Sequence, residues 1–332
     1  MKKLTALLGT MMIAGGVLAT TACGNKKEQV IIYTSTEDYN IEHLQECVNK
    51  QFPNYDVVIE YMSTSNIAAR VLEEGASSEC DIVYMEEYGY VEKMAKAGVL
   101  DSLKGDYDLT KYTDDAIPAD FSDYVLPACR TGGGIIVNKT VLQERGLTKP
   151  TSYADLLDSS FRGQVSMASP KSSGTGYMFL YSLVKAWGED VALDYFDDLT
   201  PNILAYTTSG SGPVNALVMR EVAVGFGMIS QAVNKINDGN SELEILFFEE
   251  GAPCNLYGNS IVKGKKSRQA VKDVMDYLDS FYTNESNSLY YPEPVLKNTH
   301  YNVPNFPTSI VYADMSGNNL DAKERILAKW TH

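Results

Sequence analysis

The chain has 332 residues, 44% of them hydrophobic and 21% charged, with a formal net charge of −15. The length suits two domains of ordinary size, and the composition is that of a soluble globular protein. Such acidity argues against a nucleic-acid binder and against a basic face for anionic lipid; it is compatible with a cationic or zwitterionic ligand.

The first residues read as an export signal. Lys2 and Lys3 precede a mostly apolar run over 4–18, too short for a stable bilayer span. Thr20-Thr21-Ala22-Cys23 follows and resembles a bacterial lipobox, with Thr20 where leucine is usual. That motif implies a signal peptide over 1–22, acylation of Cys23 and a polar tether over 23–28, which would hold the protein to the outer face of the cell membrane. The remaining cysteines, Cys47, Cys80, Cys129 and Cys254, form no CxxC pair. His43, His300 and His332 lie at no metal-ligand spacing, so neither a metal nor a cofactor is expected.

From residue 29 onward, short apolar strands alternate with amphipathic helices. The pattern predicts strands over 29–34, 56–61 and 81–84, and helices over 41–52, 66–74 and 88–97, the last ended by Gly98. A second series predicts strands over 134–138, 164–168, 222–226 and 244–248, with helices over 174–187, 190–199 and 213–220. A helix over 269–281 carries Ala270, Val271, Val274, Tyr277 and Leu278 on its apolar face. Strand and helix alternating at this spacing mean an α/β fold with a parallel sheet, in which ligands sit at the carboxyl ends of the strands.

Several segments in this order are similar to one family. They include VIIYTST (30–36), STSNIAARVLEEGASSECDIVY (63–84), GGGIIVNKTVL (132–142), ASPKSSGTGYMF (168–179), SGSGPV (209–214) and IVKGKKSRQAV (261–271). The chain resembles the extracellular solute-binding proteins of ABC importers, in the group that includes ferric-iron, sugar-phosphate and 2-aminoethylphosphonate receptors. The resemblance implies a two-lobed, periplasmic-binding-protein-like (type II) α/β fold with the ligand in a cleft between lobes. Lobe 1 would span 29–130 and 256–332, and lobe 2 would span 131–255, with crossings near 125–131 and 252–258. It also implies a monomer that serves ABC permease subunits, binds a small molecule and catalyses nothing. Cys129 and Cys254, one on each crossing, are expected to fall within disulfide reach, roughly 4.4–6.8 Å between alpha carbons.

Candidate contacts follow from the chemistry of strand ends and helix starts. Ser173, Gly174 and Thr175 open the helix predicted over 174–187, where hydroxyls and backbone N–H groups suit an anion. Ser209, Gly210 and Ser211 precede Pro213, which suits a first helical position. A plain helix cap explains either cluster nearly as well. Ser35 and Thr36 follow the first strand; Glu86, or its neighbour Glu87, follows the third and would receive an ammonium. Ser230 and Gln231 follow the strand VAVGFGMI. Ferric receptors of the group carry two adjacent tyrosines at that place, whereas this chain reads Ser230-Gln231-Ala232-Val233, which weakens an iron reading. Tyr290-Tyr291 lies in the C-terminal part, where packing is expected. The serines fit no G-x-S-x-G elbow and no histidine has an evident partner, so a secreted hydrolase is disfavoured. An organic anion, with or without an amine, is the expected ligand, and ferric iron the alternative.

Overall fold

The structure is a computed structural model that describes residues 27–332; the expected signal peptide and Cys23 lie outside the described residues. Strand β1 (Glu28–Thr34) leads into α1 (Asp38–Gln51), followed by β2 (Tyr55–Tyr61), α2 (Thr64–Glu74), β3 (Ile82–Glu87) and α3 (Tyr88–Lys96). Val30, Ile32 and Ile82 are fully buried, because a parallel sheet covered on both faces selects near-continuous apolar strands. Helix α1 presents Leu44 and Val48, four residues apart, to that sheet, with Asp38 in its first turn and Lys50 in its last.

One long strand, β4 (Leu126–Asn138), carries the chain into the second lobe. There follow α4 (Lys139–Arg145), β5 (Val165–Ala168), α5 (Gly174–Trp187), α6 (Glu189–Leu199), β6 (Ile203–Thr207), α7 (Gly212–Val218), β7 (Val224–Met228), α8 (Ile229–Asn237) and β8 (Leu243–Leu246). Strand β9 (Cys254–Ile261) returns to the first lobe, and α9 (Gln269–Tyr277), α10 (Thr283–Leu289) and α11 (Leu320–Lys329) complete the chain. The strand order is β2-β1-β3-β9-β4-β7-β5-β6, with β8 also on β4. The sheet is therefore mixed: β1, β2 and β3 are parallel, as are β5, β6 and β7, but β9 and β4 run antiparallel at the centre. The parallel ladders expected from strand–helix alternation lie at the two ends of the sheet, and the crossing strands separate them. Two strands that join two lobes in opposite directions must pair antiparallel.

The switch between lobes is made within β4. Gly132 pairs with Cys254 of β9, and the next residue, Gly133, pairs with Met228 of β7. A side chain at Gly133 has no room, since a Cβ there would stand 2.6 Å from Cζ of Phe179. The expected crossing over 125–131 and strand over 134–138 are thus one element. The helix expected over 269–281 stops at Tyr277 and loosens into a π turn, Leu278–Tyr282, before α10.

Two expectations are corrected here. Cys129 and Cys254 are free thiols. They lie on neighbouring strands, but Cys129 faces Tyr257 while Cys254 faces Gly132. That offset of three residues along the ladder amounts to about 10 Å, beyond disulfide reach. The C-terminal segment also differs from the expectation that 256–332 completes the first lobe. Val303 packs with Ile229 and Val233 of α8, and Ile326 and Trp330 join the second-lobe core around Phe179, Phe196 and Phe226. Helix α11 meanwhile contacts α3 of the first lobe. The tail is a strap that begins on one lobe and ends buried in the other.

Candidate ligand-binding cleft

The carboxyl ends of β1, β2 and β3 and the starts of α5 and α7 converge on a cavity between the lobes. Its volume is about 430 Å³, part of it open to solvent. From the first lobe it is lined by Ser35, Thr36, Glu37, Ser63 and Thr64, with the rings of Tyr61, Tyr257 and Tyr291. The second lobe contributes Ser173, Gly174, Thr175, Thr208, Gly210 and Met228, and Thr131 comes from the crossing strand.

The turn before α5 is built by close approach. Gly176 lies so near the carbonyl of Ala168 that a Cβ would collide with it. Ser173 caps the helix, its Oγ accepting from the amides of Thr175 at 3.2 Å and Gly176 at 3.5 Å. The remaining first-turn amide, that of Gly174, donates to Thr64 Oγ1 of the opposite lobe at 3.1 Å. These amides, expected to be free donors for an anion, already have protein partners. The open donors are hydroxyls instead: Ser63 Oγ and Thr131 Oγ1 are buried with no partner. A buried hydroxyl without a partner costs on the order of 1–3 kcal/mol, which a bound solute would recover.

The remaining residues singled out from sequence have other surroundings. Ser209 sits at the rim, where its Oγ accepts from Tyr61 of the first lobe at 2.6 Å and bonds Ser211 Oγ at 2.8 Å. Gln231 Nε2 donates to the carbonyl of Ser211 and to Asn215 Oδ1, both at 3.1 Å. Ser230 is buried beside it in the first turn of α8, and its Oγ has no partner. None of Ser209, Ser211, Ser230 and Gln231 lines the cavity. Glu86 and Glu87 do not reach it either. Glu87 caps α3 and is ion-paired with Lys323 of α11, both buried. Glu86 is wholly buried; its Oε1 accepts from the amide of Glu87, and its Oε2 has no partner.

Burial first, and then the charge of Glu87, push the Glu86 carboxyl well above its usual range, against the pull of Lys323. A raised carboxyl value means the folded state keeps a proton that the unfolded chain has released. The stability this contributes is complete below the unfolded value and is lost as pH rises through the folded one. Glu86→Gln should therefore flatten the decline in urea midpoint that sets in as pH rises above the ordinary glutamate range. A decline equally steep in both proteins would show that Glu86 does not carry it.

Glu37 lay outside the residues chosen from sequence, although it directly follows Ser35-Thr36. It precedes α1 yet does not turn back to cap it. Three hydroxyls converge on its Oε2: Tyr291 at 2.9 Å, Thr36 at 3.3 Å and Tyr39 at 3.4 Å. Burial raises its pKa, and the same three hydroxyls oppose that rise. Asn40, fully buried beneath, donates to Ser286 Oγ at 2.9 Å and to the Tyr291 hydroxyl at 3.4 Å, holding the C-terminal part against α1. Tyr291, expected to serve packing, thus reaches the cleft. Ser63 and Thr64 follow β2 as Ser35 and Thr36 follow β1, so the strand-end rule that found the latter applies to the former. Met85 also lines the cavity, from a bulge in β3 where its φ is +50°, a conformation a non-glycine residue adopts only under constraint.

Two sheet-and-helix lobes, crossed by β4 and β9 and closed on a hydroxyl-rich cavity, define a two-lobed periplasmic binding protein. A family model described as bacterial extracellular solute-binding protein matches residues 55–303, and the chain belongs to that family. It is 27% identical over 285 residues to an uncharacterized protein of Haemophilus influenzae, covering 83% of this chain and 79% of that one. Among solved structures it is similar to the periplasmic binding protein AfuA from Actinobacillus pleuropneumoniae with exogenous fructose-6-phosphate bound, at 24% identity and a TM-score of 0.81, covering 92% of this chain and 98% of that one. The periplasmic binding protein P5PA matches at 21% identity and a TM-score of 0.80 over 92% and 98% of the two chains. Iron-bound HitA from Pseudomonas aeruginosa matches at 17% and 0.74, over 91% and 97%. At these identities the structural likeness is one of fold. Among the described residues no helix is long and apolar enough to cross a membrane.

Proposed function

We propose that the protein captures a small anionic or zwitterionic solute, such as a phosphonate or sugar phosphate, outside the cell and delivers it to the permease subunits of an ABC importer. In this reading it is a monomer of two lobes, 29–130 with 256 onward and 131–255, amended by the tail that returns to the second lobe. It is held to the membrane through a lipid on Cys23 and catalyses nothing. The observation that carries the reading is the pair of unpartnered buried hydroxyls, Ser63 and Thr131, in a cavity to which both lobes contribute further hydroxyls. Lobe closure around such a ligand is the ordinary hinge motion of two-lobed receptors.

The ferric alternative draws on Tyr61, Tyr257 and Tyr291 in the cavity wall. Iron would need phenolates, however. Burial, followed by the charge of Glu87, holds the Tyr257 hydroxyl well above its usual value; for Tyr291, burial is followed by the charge of Glu37. The place after β7 where ferric receptors carry adjacent tyrosines holds Ser230 and Gln231, and an organic solute is the better fit. A thermal-shift screen of 2-aminoethylphosphonate, hexose phosphates, polyamines and ferric citrate tests the reading. A true ligand at a hundred times its dissociation constant adds about 2.7 kcal/mol of stability. Stabilisation by ferric citrate alone would replace this reading with the ferric one.

A further inference from the structure

Among the described residues Glu37 is the only charged side chain lining the cavity, and no lysine or arginine lines it there. The carboxylate is asymmetric. Oε2 is fully engaged by the hydroxyls of Thr36, Tyr39 and Tyr291, and no side-chain donor reaches Oε1. Around it stand the rings of Tyr61, Tyr257 and Tyr291, and Met85 closes the same wall. A carboxylate flanked by tyrosine side chains, with unpartnered hydroxyls further along the cavity, is chemistry that selects a cation at one end and an oxygen-rich group at the other. A solute that was anionic throughout would meet only repulsion at the Glu37 end.

We infer that the solute is a zwitterion whose ammonium group sits on Glu37 among Tyr61, Tyr257 and Tyr291. This rests on the receptor reading above and narrows it: amine-bearing phosphonates or carboxylates bring Glu37 a cation, whereas hexose phosphates offer it only neutral hydroxyls. Glu37 is then the specificity-determining residue, since Ser63, Thr131, Ser173 and Thr175 can bond any oxyanion. The titratable groups among the described residues that feel the charge of Glu37 are Tyr39, Tyr61, Tyr84, Tyr257, Tyr291 and Cys129, each with its proton held by burial. Burial raises the Glu37 carboxyl, so lowering the pH protonates it early and removes the partner of the ammonium.

Calorimetric titration of the full-length protein with matched solutes tests this. The pairs are 2-aminoethylphosphonate against propylphosphonate and 4-aminobutyrate against pentanoate, with a hexose phosphate as the reference that carries no cation. In any pair that binds, the amine should bind about tenfold tighter or more, the worth of one charge-assisted hydrogen bond. Glu37→Gln should erase that preference, so that the two members of a pair bind alike. Equal binding within a pair, tight binding of the hexose phosphate, or a preference that survives in Glu37→Gln overturns the ammonium site and leaves the receptor reading standing. Silence from every solute counts against the receptor reading itself.

Discussion

Lys323→Met is expected to cost about 3–5 kcal/mol of folding stability, the range for removing one partner of a buried ion pair. Lys323 is only 2% exposed, and its ammonium is paired with the equally buried Glu87. It also lies 3.8 Å from the ring centroid of Tyr90 on α3 and 4.6 Å from that of Tyr177 on α5. One cation thus touches both lobes and the tail. A side chain at Gly174 would run into Glu87, so the pair lies directly behind the helix start that faces the cleft. Methionine leaves Glu87 charged, buried and unpaired. The double variant Lys323→Met with Glu87→Leu should recover most of the loss, because a hydrophobic replacement of a whole buried pair is often neutral. Urea denaturation of the three proteins measures both effects. A single variant within about 1 kcal/mol of the parent would mean that the pair behaves as a solvated surface bridge.

Trp330→Ala is expected to cost a comparable amount, about 3–5 kcal/mol, as for other buried aromatic truncations. Trp330 is 3% exposed, with its ring centroid 5.3 Å from Phe196 and 5.6 Å from Tyr206. The informative readout is where the loss appears. Hydrogen exchange should accelerate in β6 and α6 of the second lobe, while β1 and β2 keep their protection. Faster exchange confined to the first lobe would restore the expectation that the tail belongs there. The two lobes can unfold separately, so the exchange pattern is a sharper test than a single midpoint.

Much of the fold was legible in the residues, because its signals are local. QVIIYT, DVVIEY and the long helix 174–187 declare themselves by period, and the observed helix has those same bounds. The strand β6 was missed because Leu204 and Ala205 are exposed and its apolar pattern is weak. Helix α8 is not among the predicted helices, since the apolar run of β7 passes into Ile229 without a break. The cleft was legible where a residue follows a strand or opens a helix, as Ser35, Thr36, Ser173, Gly174 and Thr175 do. It was not legible where a residue arrives from far along the chain. Tyr291 meets Glu37 across 254 positions, and nothing near either one announces the other.

Periodicity and order of elements, read from the residues alone, determined an α/β chain, because burial of apolar strands and helix faces is written locally; the two lobes and their crossings followed only from the family resemblance. Tertiary packing alone decided which oxygens are free. It spent the α5 amides on Ser173 and Thr64, engaged Glu87 with Lys323, and left Glu37, Ser63 and Thr131 facing the gap. The reason is physical: a polar group is available to a solute only when no other part of the fold has already satisfied it, and that depends on every neighbour at once.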